Sequence, residues 1–334
     1  MTKNSHQYEY SVFRSITPSM RYDGKARFSD WQKRAREKLS ELLGLPLPQG
    51  ACEAVIEYKT EEDTHTEYRF TVETEPGYAV PCHLCIPQGV SAPIPLAVCL
   101  SGHGGGMHVA LGRPKCEADE RALASWPHRA MANRAIREGY AALVVEARNF
   151  GESSLEGYGT SCTEAAKIAL LCGRTVIGER VHDVSCVLDA VGKAFLEIDM
   201  KKIIATGNSG GGTATFYLAC MDERIVAAMP SCSICNFESS IAAMPHCLCN
   251  HIPSIRRYFE MGDLGGLIAP RTLIVATGKE DEIFPLEGAM ETFSQIQKLY
   301  EAAGAKDRCV LCVGEMGHLN YADHLWESLY RLES

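Results

Sequence analysis

The chain has 334 residues, of which 46% are hydrophobic and 22% charged, and a net charge of -9. That composition suits one large α/β domain, or two small ones, with a substantial buried core. The acidic balance and the lack of any basic run exclude nucleic acid as a general partner, and no window reaches the roughly 18 apolar residues of a membrane span. Met1 to Tyr10 is polar and carries no apolar core of a secretory signal, and fifteen cysteines suit a reducing compartment better than a disulfide scaffold. The expectation is a cytoplasmic protein acting away from membranes, with self-association left open.

In chain order, Phe28, Trp31, Ala35, Leu39 and Leu42 recur at helical spacing, which predicts an amphipathic helix over 28–43 that stops at Gly44. Residues 55–58, 68–72 and 79–86 read as strands of an antiparallel ribbon. The rhythm then changes to short apolar strands at 95–100, 141–146, 202–206, 225–229, 272–277 and 309–313. Helical segments at 124–139, 177–191, 213–220, 288–303 and 320–332 fall between and after them. Strands of this kind separated by helices predict an α/β fold with a mostly parallel sheet covered on both faces. One domain over 1–334 is the simplest reading, with 1–50 as an N-terminal helical extension. Stretches 151–172 and 231–266 break the rhythm, and the second is expected to form a lid-like insertion over the ligand crevice.

Gly207-Asn208-Ser209-Gly210-Gly211 follows a predicted strand and opens a predicted helix. A serine in so sharp a turn needs small neighbours, and the turn presents its Oγ beside the unpaired N–H groups of the helix start. A serine hydroxyl is a weak nucleophile and needs a base, and the base needs an acid to hold its tautomer. His318 follows the last predicted strand on a small-residue turn, and Asp281 follows the strand at 272–277, with Glu280 and Glu282 as weaker alternatives. Each feature alone is weak: a bare G-x-S-x-G arises by chance, and a lone histidine or an acidic cluster is usually surface. Their order, Ser209, Asp281, His318, with all three just past strand ends, is what makes the combination informative. The oxyanion donors are expected from the N–H of Gly210 and one from Gly104 or Gly105, in the loop Ser101-Gly102-His103-Gly104-Gly105-Gly106. His103 and His108 either contact substrate or, as the loop favours, shape it; His246 is a further substrate-binding candidate.

A rival constellation is Cys232-x-x-Cys235 with His246-Cys247-x-Cys249-x-His251, enough soft ligands for zinc but with an unusual C-x-C half. A packed lid lining the pocket is the preferred reading, so no metal and no cofactor are expected.

These residues resemble the α/β hydrolases of the acetyl-xylan-esterase-like group, which is similar to the dienelactone hydrolase and prolyl oligopeptidase branches. The resemblance is carried by Gly207-Asn208-Ser209-Gly210-Gly211-Gly212, by Gly278-x-x-Asp281-x-x-x-Pro285 and by Gly317-His318. Supporting it are the runs 146–153, Gly178-Glu179-Arg180-Val181-x-Asp183 and Pro245-His246-Cys247-x-Cys249-Asn250. It spans roughly residues 28 to 330 and implies Ser209 as nucleophile, Asp281 as orienting acid and His318 as base. The expected activity is hydrolysis of a small-molecule carboxylic ester through an acyl-Ser209 intermediate, with an acetyl group on a sugar or similar alcohol as the guess at substrate. The lack of a leader argues against polymeric xylan. The alternatives are a serine peptidase or amidase, and a non-catalytic metal-binding protein on a hydrolase scaffold.

Overall fold

The computed structural model describes residues 2–333. Nine strands, β1 (Ala54–Glu61), β2 (His65–Glu75), β3 (Tyr78–Pro87), β4 (Ile94–Leu100), β5 (Ala141–Val145), β6 (Ile198–Asn208), β7 (Ile225–Ser231), β8 (Thr272–Gly278) and β9 (Cys309–Gly314), form one sheet. Their order is β1-β2-β3-β5-β4-β6-β7-β8-β9. β1, β2 and β3 form an antiparallel meander that joins the edge of β5, and every pairing from β5 through β9 is parallel.

The two-residue period of the strands divides the core into two layers. In β4, Leu96, Val98 and Leu100 point into one layer and Ala97 and Cys99 into the other. The first layer is covered by the helices Phe28–Leu43, Val176–Ala194, Gly210–Met221 and Leu286–Ala302. The second is covered by Met131–Arg137 and Ala322–Glu333, through Ala132, Ile136, Trp326 and Leu329. The helix Phe28–Leu43 buries Trp31, Ala35, Leu39 and Leu43, four residues apart, and ends where Gly44 turns left-handed at φ 78°.

Two departures from the periodicity reading are instructive. The helix expected over 124–139 is broken: Glu117–Ser125 ends, a single turn spans Pro127–Arg129, and Met131–Arg137 begins again. Pro127 has no N–H to continue the ladder, and its ring would clash with a carbonyl four residues back. A helix that periodicity does not single out, Ser5–Ser15 within the helical extension expected over 1–50, buries none of its residues, so no apolar stripe marks it. It is held instead by the Asn4 cap and by Tyr10, whose hydroxyl donates to Ala242 O at 2.6 Å. Among the described residues no helix is long and apolar enough to cross a membrane.

Candidate active site

Ser209 sits between the end of β6 and the helix Gly210–Met221 with φ 55° and ψ -124°, a left-handed conformation that a residue with a Cβ adopts only under constraint. The constraint comes from packing on three sides. Its N–H donates to Ser231 O at 2.9 Å, and its carbonyl accepts from Thr213 N at 2.8 Å. A Cβ at Gly207 would come within 2.7 Å of Thr215 Oγ1, and one at Gly211 would fall on the carbonyl oxygen of Leu100. The glycines on either side therefore let the helix close onto β4 and β6, and that closure holds Ser209 half-buried at the strand tip.

Asp281 lies just beyond β8 and His318 just beyond β9, adjacent parallel strands whose ends diverge little. The loops are zipped together by Lys279 N to Gly314 O at 2.9 Å and Glu280 N to Met316 O at 3.0 Å. His318 Nδ1 lies 2.9 Å from Asp281 Oδ2 and 3.1 Å from Oδ1. Asp281 Oδ1 also accepts the backbone N–H groups of Ile283 and Phe284, each at 2.9 Å. The carboxylate has no exposed side-chain surface. Burial alone would push its pKa up, but the His318 hydrogen bond and charge and the Phe284 N–H outweigh it and hold Asp281 below the ordinary carboxylate value. Glu280 and Glu282 are exposed. His318 stacks on Phe284, with 5.8 Å between centroids and 13° between planes, and its buried Nε2 has no hydrogen-bond partner among the described residues.

Ser231, the last residue of β7, couples this pair to the serine turn. Its carbonyl takes the Ser209 N–H, while its hydroxyl donates to Leu319 O at 2.9 Å and accepts from Tyr321 N at 3.2 Å, both just after His318. Ser209, Asp281 and His318 thus follow strands that end at one edge of the sheet, with His318 Nε2 not hydrogen-bonded to Ser209 Oγ.

The glycine loop after β4 passes over the same edge. A Cβ on Gly102 would lie 3.2 Å from Ser209 Cβ, and Gly104, at φ 142°, is exposed with nothing near. Glu146, at the end of β5, lies beneath this loop and was not foreseen as a site residue. It accepts from Met107 N and Glu152 N, both at 3.0 Å. Burial lifts its carboxyl to about 7 against those two N–H groups. The signal for it in the sequence was an acidic residue directly after five apolar strand residues.

A cavity of about 320 Å³ opens beside the turn, bounded by the loop from Ser101 to Gly105, by Asn208, and by Arg129, Tyr158 and Asn320. Arg129 comes from the proline break described above. Among the described residues its guanidinium has no hydrogen-bond or ion-pair partner, and its buried Nε, like Ser101 Oγ and Asn320 Oδ1, is unsatisfied. Burial lowers its pKa from the ordinary arginine value. Nothing in local sequence pattern distinguishes Arg129 from a surface arginine.

His246 approaches from the 231–266 insertion and packs edge-on against Phe284, 5.5 Å between centroids. Asn250 Nδ2 donates to its Nδ1 at 3.3 Å, which leaves Nε2 carrying the proton, buried and unpartnered. Burial lowers its pKa to about 4, so the ring is neutral near pH 7. His108 is paired with Asp119 at 2.8 Å, a shaping role for the loop. His103 turns Nε2 toward Cys249 Sγ at 3.2 Å and tilts over Phe150. The six cysteines and histidines of the rival constellation do not form one group. Cys232 lies against the His318 loop, with Sγ 3.9 Å from Gly317 O, and Cys235 lies 3.7 Å from Pro285 O. Cys247 and Cys249 face His103 and Cys162 instead.

A parallel sheet entered by an antiparallel ribbon, with a strained serine turn after one strand and an Asp–His pair after two later ones, defines an α/β hydrolase. The chain belongs to the abhydrolase family, whose model matches residues 11–310, and it is a hydrolase enzyme of that class. It is 25% identical over 246 residues, 72% of this chain and 79% of the relative, to YtaP of Bacillus subtilis (strain 168), provisionally named a hydrolase. The fold is similar to that of a Bacteroides fragilis NCTC 9343 protein provisionally named an acetyl xylan esterase, with TM-score 0.80 and 18% identity over 100% of this chain and 94% of that one. It is also similar to a glucuronoyl esterase from Caldicellulosiruptor kristjansonii, with TM-score 0.63 and 21% identity over 96% of this chain and 90% of that one.

Proposed function

We propose that the protein is a serine carboxylic ester hydrolase with Ser209 as nucleophile, His318 as base and Asp281 as orienting acid. The observation that carries this is the pair of buried Asp281 and half-buried His318, whose remaining imidazole nitrogen is unpartnered among the described residues, at the sheet edge where Ser209 is held in a left-handed turn. His318 Nε2 takes the proton of Ser209 Oγ as the oxygen attacks the ester carbonyl. The oxyanion is held by the N–H of Gly210 and by one from Gly104 or Gly105. The C–O bond to the alcohol then breaks, the alcohol leaves with the proton from His318, and acyl-Ser209 remains. Water, deprotonated by the same nitrogen, attacks the acyl carbon, and the carboxylic acid is released with Ser209 restored.

The cavity's size suits a small acyl group or a single sugar unit rather than a polymer, in keeping with the acetyl xylan and glucuronoyl esterase names carried by proteins of similar fold. Arg129, which forms no ion pair among the described residues although Asp119, paired with His108, lines the same cavity, favours substrates carrying an anionic group. The unpartnered N–H of His246, beside the Phe284 ring on which His318 stacks, supports a role as a donor to substrate from the insertion side. Hydrolysis of p-nitrophenyl acetate, compared with longer acyl chains, tests the activity. Ser209→Ala is expected to lower kcat by on the order of 10⁶ and to abolish labelling by a fluorophosphonate. Equal rates for Ser209→Ala and the parent chain would sink the assignment.

A further inference from the structure

Beside the candidate active site, four side chains from three separate segments meet around one point. His103 comes from the glycine loop after β4, Cys162 from the start of the helix Cys162–Leu171, and Cys247 and Cys249 from the 231–266 insertion. One ligand atom from each, three sulfurs and an imidazole nitrogen, lies within 4.8 Å of all the others. Around tetrahedral zinc, with Zn–S about 2.3 Å and Zn–N about 2.0 Å, sulfurs stand about 3.8 Å apart and sulfur and nitrogen about 3.5 Å. The His103 Nε2 to Cys249 Sγ separation of 3.2 Å matches that scale.

An independent observation concerns charge. Arg180 is buried, and among the described residues no carboxylate pairs with it. It donates to Cys162 Sγ at 3.4 Å and to the carbonyl of Arg148 at 2.9 Å, lies over the Phe150 ring, and leaves Nη1 unpartnered. A buried guanidinium without an anion is costly. Among the described residues the only ionisable side chain it donates to is a thiol, that of Cys162; Glu146 and Asp183 line a small void with it but form no ion pair to it. Three thiolates around a divalent ion carry one net negative charge, which Arg180 would neutralise. The surroundings, Phe150, Ala166 and Val176, form a small apolar cluster separate from the two main core layers, the setting in which a metal stands in for core volume.

We propose that His103, Cys162, Cys247 and Cys249 form a Cys3His zinc site. All four positions are taken by protein, so the site is structural rather than catalytic. It ties the insertion and the helix after β5 to the glycine loop, fixing the loop that carries Gly104 and Gly105. His103 is then a metal ligand and not a substrate contact. The inference does not depend on ester hydrolysis, since zinc content is read directly.

The test is metal analysis of the full chain purified under reducing conditions without added metal. About one zinc per chain is expected, falling at least tenfold in Cys162→Ser and in Cys249→Ser and retained in Cys235→Ser. Should the ligand variants fail to fold, cobalt exchanged into the unaltered chain gives the same answer, through the visible bands of tetrahedral thiolate coordination. A reduced chain that retains less than a tenth of an equivalent of zinc after loading and desalting would overturn the proposal. So would zinc persisting in both ligand variants.

Discussion

Asp281→Asn isolates the role assigned to the acid, because the hydrogen bonds around Asp281 determine how an amide must sit there. Oδ1 accepts two backbone N–H groups, from Ile283 and Phe284. An NH2 in that place would confront two donors, so the amide oxygen takes it and the NH2 falls on the Oδ2 position, 2.9 Å from His318 Nδ1. A donor there forces Nδ1 to accept, which moves the imidazole proton to Nε2 and removes the lone pair that Ser209 needs. Shape and backbone contacts are retained, so the loss is confined to the tautomer and to imidazolium stabilisation. The expected fall in kcat is about 10⁴, equivalent to about 5.5 kcal/mol of transition-state stabilisation. Steady-state hydrolysis of p-nitrophenyl acetate measures it, with circular dichroism to establish that the variant is folded. Glu280→Gln and Glu282→Gln, both at exposed positions, should leave kcat unchanged. If Asp281→Asn kept more than about a tenth of the activity, or either glutamine variant lost as much as it did, the reasoning would be refuted.

Gly211→Ala places a Cβ on the Leu100 carbonyl and 2.5 Å from Ser101 O, and should destabilise the fold by more than about 3 kcal/mol in urea unfolding. Glu146 has a folded pKa of about 7 against an ordinary 4.5, so the folded chain binds that proton more tightly than the unfolded one. Its contribution is full below about pH 4.5 and is lost as pH rises through about 7, a change of roughly 3 kcal/mol; Glu146→Gln should flatten the slope of unfolding free energy over that window. Arg129→Met should lower kcat/KM for esters bearing a carboxylate by about tenfold or more while sparing p-nitrophenyl acetate. Equal losses on both would remove Arg129 from substrate recognition.

Much of the fold was legible in the linear chain because its signals are local. The helix Phe28–Leu43 came out with its boundaries through the helical spacing of Phe28, Trp31, Ala35, Leu39 and Leu42 and the stop at Gly44. The strands declared themselves as short apolar runs, since a sheet covered on both faces has no polar side to alternate with. Ser209, Asp281 and His318 could be singled out because each follows such a run, and parallel strands end at a common edge. Pro127 is equally visible in the chain, and it splits the helix that the apolar pattern alone predicts over 124–139.

What escaped the sequence depends on side chains meeting across the fold. No spacing reveals that His103 and Cys162 complete a group with Cys247 and Cys249 while Cys232 and Cys235 turn elsewhere. No pattern reveals that half-buried Arg129 and buried Arg180 have no carboxylate partner among the described residues, or that Glu146 supports the glycine loop from below. Periodicity and strand-end position are written in neighbouring residues. The pairing of a charge or a metal ligand is decided only when distant segments fold against one another and water is excluded between them.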